Sequence, residues 1–486
     1  MYRDKNPQMN FNEVIPPFNN TLDPENRWVK LAGLIPWDEF ENEYAAKFGK
    51  TGNVAFPLRM ALGSLIIQEK KGLSNIELVQ ELIESRYLQY FIGLDELTNT
   101  APFDQSALTR FRQRLGADII NRVSQKIVEA ENERKKNDDD DNSNASPKSK
   151  GMTEEEKPIN KGKLVLDATC APADITYPTD AGLLNKAREK TEGIIDMLHE
   201  PLRGVIQKPR TYREKARRDF LAYSKNRKGR KLTWKKACKK QLGDVKRNLG
   251  TIKKLMDTDE TGKLNEKKLD ELKVIAELYR QQAYMHENNT HKVGDRIVSI
   301  DQHWVSPIKR GKVSAETEFG AKVSISVVDG YTKVEKILWD NYNESGDLIN
   351  AVEKYREERG CYPEVVQADK IYRNRKNLNY CRGKGIRLSG PPLGRPPKDY
   401  GKQKETRRLA YQDSCERNAV EGKFGEAKNI GSLGRLTARL KATSEVQISM
   451  VFLVLNLNKI LRDLLHLFFE GYIECQYRFC TVVKTT

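Results

Sequence analysis

Thirty residues with almost no apolar side chains, Glu131 to Asn160, divide this chain into two stretches of different hydrophobic rhythm. The run holds Asp138 to Asp141 in a row and then Glu154 to Glu156, set among Asn, Ser, Pro, Lys and Gly. It buries too little surface to fold, so residues 131–160 are expected to be a disordered acidic linker. Before it, apolar residues recur at helical spacing. After it, short strand-like runs take over.

Leu58, Leu62, Leu65 and Ile66 mark one helix face, which Gly72 ends. Ser74 with Glu77 forms a capping box for a second helix, with Ile76, Val79, Leu82 and Ile83 inward. A third helix starts near Asp104 or Ser106 and turns Leu108, Phe111 and Leu115 inward, leaving Arg110, Arg112 and Arg114 outside. Residues 1–130 are therefore read as a helical N-terminal domain. A basic last helix suits a helix-turn-helix-like module for DNA binding or dimerisation, and an ordinary small helical bundle fits the pattern equally well.

Beyond the linker, Leu164 to Thr169 reads as a strand, and a long helical stretch follows at about 182–285. Strand patterns return at Arg296–Ile300, Ala321–Val328 and Lys333–Trp339, the last two joined by Asp329-Gly330, a hairpin turn. A helix at Asp347–Glu358, a strand at Glu364–Asp369, a short helix near Asn374–Cys381, a strand at Ile386–Leu388 and a polar helix at Ser414–Lys428 complete the order. With 172–320 set aside as an insertion, this is strand, strand, strand, helix, strand, helix, strand, helix. That is the order of an RNase H-like mixed α+β or α/β sheet flanked by helices, here spanning 161–470 with a tail at 471–486.

Charge is as localised as periodicity. The chain carries 85 Lys+Arg and 68 Asp+Glu, net +17. The segment Arg203–Lys254 alone holds 20 basic residues against Glu214, Asp219 and Asp244, which is also net +17. Unpaired like charges repel, so this density asks for a polyanion. Arg213, Arg217, Arg218, Arg227, Lys228, Arg230, Lys231, Lys235 and Lys236 are the expected phosphate contacts. Trp234 or Trp304 is a candidate for stacking on an unpaired base.

Other classes drop out. Met450–Phe469, the most apolar stretch, carries Asn456, Asn458, Lys459, Arg462 and Asp463, which excludes a membrane span. Met1–Asn20 is polar and Pro-bearing, unlike a signal peptide. Seven cysteines without C-x-x-C read as reduced thiols in a cytosol. None of the five histidines has Arg three residues on, none forms H-x-H, and no G-x-x-x-x-G-K-[ST] occurs.

The chemistry points to carboxylates. Asp167 and Asp369 each end or interrupt an apolar strand, where a carboxylate is costly unless paired, hydrogen-bonded or metal-bound. In the deduced sheet their strands are neighbours. On the helix 414–428, Arg417 lies about 40° and Lys428 about 20° from Glu421, so the three share a face, while Glu416 and Glu426 sit about 140° away. Such a stripe is either a surface ion-pair ladder or a metal ligand flanked by phosphate clamps. Two Asp and one Glu suit hard divalent cations. Asp301 and Asp329 are set aside, Asp329 as the hairpin residue and Asp301 as a strand-end residue of the insertion.

The pieces Leu-Val-Leu-Asp167-Ala-Thr, Val-Val-Gln-Ala-Asp369-Lys-Ile-Tyr and Arg417-Asn-Ala-Val-Glu421-Gly-Lys-Phe-Gly-Glu-Ala-Lys428 resemble a DDE transposase of a bacterial insertion sequence. The last is that group's R-x3-E-x6-K signature, and Leu455-Asn456-Leu457 resembles its closing segment. The group has Tyr where this chain has Ser414. The resemblance implies that Asp167, Asp369 and Glu421 bind two Mg²⁺ ions, with Mn²⁺ as a substitute, while Arg417 and Lys428 grip phosphates. It implies nicking at terminal inverted repeats, then attack of the freed 3′-OH on target double-stranded DNA. It also implies a homodimer on DNA and a cytoplasmic, nucleoid-associated, bacterial setting. The alternative is a non-enzymatic DNA-binding protein derived from a transposase.

Overall fold

The computed structural model describes residues 1–2, 18, 21–141, 160–225, 230–258, 264–309, 317–390 and 400–483. In chain order these form helices Arg27–Leu34 (α1), Trp37–Ala45 (α2), Leu58–Lys71 (α3), Asn75–Glu84 (α4), Arg86–Phe91 (α5) and Ala107–Asp141 (α6), then strand Lys163–Pro172 (β1). Helices Asp180–His199 (α7), Arg213–Lys225 (α8), Arg230–Met256 (α9) and Glu266–Glu287 (α10) follow. The rest are strands Ser306–Lys309 (β2), Thr317–Val328 (β3) and Tyr331–Leu338 (β4), helix Leu348–Arg359 (α11), strand Val365–Ala368 (β5), helix Arg375–Gly383 (α12), strand Arg387–Leu388 (β6), and helices Tyr400–Asn429 (α13) and Lys441–Val483 (α14).

Two units emerge. The first comprises Met1–Ala171, Val323–Ile337 and Tyr342–Thr486; the second comprises Pro172–Lys322 and Leu338–Asn341. The sheet is mixed. Its order is β2-β3-β1-β5-β6, with β4 on β3. β1 and β5 run parallel, as do β5 and β6, while β2 and β3 are antiparallel. β3 and β4 turn at Asp329 (φ 52°) and Gly330 (φ 78°), the two positive φ values that a tight hairpin of type I′ needs. Parallel neighbours require a crossover, and α11 lies in the chain between β1 and β5. Leu348, Ala351, Val352 and Tyr355 of α11 share one core with Leu164, Leu166, Val366 and Ala368 of the sheet.

The first unit holds a second, larger core. Leu31, Tyr44, Leu62, Ile66, Leu82, Phe91, Phe111 and Ile120 pack with Val446, Met450, Leu453, Leu457 and Ile460 of α14. The apolar stretch that excluded a membrane span thus has its partner in the N-terminal helices. Among the described residues no helix is long and apolar enough to cross a membrane. Asn456, at the centre of α14, is 1% exposed. It accepts from the backbone N–H and hydroxyl of Thr332, and donates to the Thr332 carbonyl and the Ser124 hydroxyl. All four of its hydrogen-bonding positions are used, which pins α14 to both β4 and α6.

Several expectations need correcting. The linker was placed from Glu131, but α6 continues to Asp141. Glu131 is buried against Arg134 at 2.9 Å, and Lys135 reaches Asp463 at 2.7 Å, so the first turns of this run are held by ion pairs. Residues 142–159 lie outside the described residues. The boundary at 130 is not a boundary of the core, because α14 completes the N-terminal helices. The tail from 471 begins inside α14. Finally, Arg296–Ile300, buried from Ile297 on, joins no ladder; the Ile297 N–H donates to the Gln281 side chain instead. Arg112, expected outside, is half-buried and bonds Gln68 and Asn75.

In the second unit, Leu183, Val245, Ile275, Leu278 and Ile297 form one apolar cluster, and Ile194, Leu198, Ile252 and Leu255 another. Arg188, fully buried on α7, is matched by Glu192 at 2.6 Å and Asn185 at 2.9 Å.

Candidate active site

The β1–β5 ladder ends with Leu166 beside Ala368. The next residue on each strand is Asp167 and Asp369, so the parallel register sets the two carboxylates side by side. Each accepts the amide N–H of its own successor, Ala168 at 2.8 Å and Lys370 at 2.7 Å. Asp369 thereby caps the short 3₁₀ turn Lys370–Tyr372. Burial pushes the Asp167 carboxyl up to about 6, with Glu344 and Asp369 adding to the rise and the Ala168 amide and Arg417 opposing it.

Helix α13 brings the third group. Its inward stripe is Asp413, Val420, Phe424 and Ala427, all buried. Two ion pairs tie it to the sheet. Glu416 meets Lys163 of β1 at 2.7 Å and also accepts from Gln367 of β5. Asp413 takes both arms of Arg387 of β6, each at 2.8 Å. Arg417 then lies 3.1 Å from Asp369 and 3.4 Å from Glu421. One guanidinium therefore bridges two of the three expected carboxylates and is felt by the third.

Asp167, Asp369, Arg417 and Glu421 are thus neighbours in charge. Lys428 is half-buried on the same helix, about 10 Å along its axis from Glu421. Ser414 is exposed. Among the described residues no three His, Cys, Asp or Glu side chains are grouped to hold a metal ion; Arg417 pairs with both Asp369 and Glu421. The donor chemistry nonetheless fits a hard cation. Asp167 is half-buried and feels the negative charge of Glu344 and Asp369, with Arg417 as the opposing charge.

Glu416, Asp413, Gln367 and Arg387 were missed as positioning residues. The one signal available was Gln367, a polar residue inside an apolar strand. The set-aside acids are placed elsewhere: Asp329 in its turn, and Asp301 between Lys186 at 2.5 Å and Lys190 at 2.7 Å.

Arg217, Arg218, Lys235 and Lys236 of the basic segment are exposed. Arg213 instead forks onto Asp196 at 2.8 and 3.0 Å, beside Lys208. Arg230 and Lys231 open α9, and Arg227 and Lys228 lie outside the described residues. Trp234 packs with Ala181, Leu184 and Cys238, and Trp304 lies edge-on to Trp339. Cys170, Cys238, Cys361, Cys381 and Cys415 form no disulfide.

Two family models match the chain. A transposase DDE domain covers residues 366–458, which include Asp369, Arg417, Glu421, Lys428 and Asn456. A transposase domain (DUF772) covers residues 16–114. The chain is also 27% identical, over 166 residues, to an uncharacterized protein, ORF8 in the nfe locus of Rhizobium meliloti; the match spans 34% of this chain and 71% of that relative. No solved structure matches. The two domains indicate a transposase role. With the relative, they support the reading of this chain as an insertion-sequence DDE transposase.

Proposed function

We propose that this chain catalyses DNA transposition by nicking at terminal inverted repeats and joining the freed 3′-OH to target DNA. The observation that carries the reading is the register of β1 and β5, which sets Asp167 beside Asp369, with Arg417 of α13 bridging to Glu421. The strand order β4-β3-β1-β5-β6, with β1, β5 and β6 parallel, supports an RNase H-like core.

In this reading Asp167, Asp369 and Glu421 hold two divalent ions, Mg²⁺ by donor type. When bound, such ions activate the attacking oxygen and stabilise the leaving one in an in-line displacement. Arg417, with its planar fork, takes two oxygens of a DNA phosphate, and Lys428 supplies a point charge further along the strand. The ladder holds Asp167 and Asp369 at fixed spacing, while Glu416 and Asp413 seat α13 so that Glu421 reaches them. The exposed cations of α8 and α9 bind the DNA backbone without reading bases. A second copy of the chain is the expected partner on DNA, in a bacterial cytoplasm at the nucleoid.

The test is excision from a plasmid carrying the element with its flanks. Wild-type protein should release and rejoin the element, and D369N should not. Release by D369N at the wild-type rate would overturn the reading.

A further inference from the structure

Arg417 is more enclosed than the two carboxylates it bridges. Its side chain is 25% exposed, against 51% for Asp369 and 57% for Glu421. It is folded in among the carboxylates, at 3.1 Å from one and 3.4 Å from the other. Its charge also favours the ionised form of the half-buried Asp167. A single guanidinium thus pairs with two of the carboxylates and lies within electrostatic reach of the third.

We propose that Arg417 guards these carboxylates in the free protein and releases them when a DNA phosphate draws it away. The inference rests on the metal-site reading above and adds an order to it: DNA first, divalent ion second. The physical basis is that one planar fork serves carboxylate and phosphate alike and cannot serve both fully at once. While Arg417 bridges Asp369 and Glu421, an incoming ion must displace it and meet its repulsion. Once a phosphate holds Arg417, the oxygens of Asp369 and Glu421 are free and the local charge is more negative. Coupling of this kind is reciprocal, so ion binding also tightens the hold on DNA. The arrangement keeps the free protein from assembling a hydrolytic centre away from its substrate.

The test is titration with Mn²⁺, followed by the loss of the free-ion electron paramagnetic resonance signal. Wild type, R417Q, R417K and D369N are compared, without DNA and with a mixed-sequence duplex. Without DNA, R417Q should bind Mn²⁺ about tenfold more tightly than wild type, within the usual size of such couplings. R417K, which cannot bridge both carboxylates, should fall between them. The duplex should tighten binding to wild type and leave R417Q nearly unchanged. Circular dichroism checks folding, and R417K carries the comparison if R417Q misfolds. If both Arg417 variants bind no more tightly than wild type, or if the duplex tightens all three equally, the guard is wrong. If D369N binds Mn²⁺ as wild type does, the metal site itself is wrong, a separate result.

Discussion

Asp167 and Asp369 stand one register step beyond the last pair of the β1–β5 ladder, Leu166 with Ala368. Their spacing is fixed by backbone hydrogen bonds. The position of Glu421 depends on how α13 is seated, and that seat is built from Glu416 with Lys163 and Gln367, and Asp413 with Arg387.

Glu416→Ala should loosen this seat without touching any reacting group. Misplacement of about 1 Å can cost roughly 100-fold in rate. Single-turnover nicking of a labelled end duplex should fall about 10- to 100-fold, with gel-shift affinity held within about twofold. An unchanged nicking rate would show that α13 is held by other contacts.

Arg417 and Lys428 are separable. Arg417→Lys keeps the charge but loses the fork that faces Asp369 and Glu421. Lys428→Arg keeps charge and reach. Nicking should suffer more from the first swap than from the second. In a plain surface ladder each swap would cost only about 0.2–0.5 kcal/mol and leave the two rates alike.

Lys70 gives a pH prediction. Burial, then Arg27 and Arg462, push its ammonium down to about 8. Below about pH 8 both folded and unfolded forms carry the proton, and the folded state bears the full cost. As pH rises through 8, the folded form sheds the proton first, and the cost fades toward the unfolded value of 10.5. Lys70→Met should therefore stabilise the protein at pH 7 by about 1–2 kcal/mol after solvent screening. That advantage should shrink by pH 10. Thermal melts at the two pH values check it, and an advantage that grows with pH would contradict it.

The basic segment yields a salt measurement. Gln at Arg217, Arg218, Lys235 and Lys236, all exposed, should lower the slope of log affinity against log salt by up to about 3.6, at ~0.9 per phosphate contact. Arg213→Gln should do less to the slope, because Asp196 already holds that side chain.

Local chemistry makes the placement of these residues legible in the sequence. Apolar runs ending in Asp mark β1 and β5, Asp329-Gly330 marks the hairpin, and helical arithmetic puts Arg417 and Glu421 on one stripe. What was not legible is non-local. Glu416 was set on another face, correctly by angle, but nothing in the sequence says that this face meets Lys163 and Gln367. α14 shows in the sequence only as the most apolar stretch, Met450–Phe469, and one of its partners lies more than three hundred residues earlier, as Asn456 and Ser124 show. Arg296–Ile300 has the composition of a strand, but the Gln281 side chain takes the Ile297 amide that a neighbouring strand would have used. The run from Glu131 is too poor in apolar residues to read as folded, and nothing local shows that Lys135 meets Asp463 of α14.

The central claim is that Asp167, Asp369 and Glu421 form one divalent-ion site that cuts DNA. The most direct measurement is single-turnover nicking of a labelled end duplex in Mg²⁺ by D167N, D369N and E421Q, with gel-shift affinity recorded for each. The account expects all three to lose nicking by at least about 1,000-fold, with DNA binding kept, as removal of a group acting in the transition state does. Nicking at the wild-type rate by any one of them, with DNA bound normally, would contradict it.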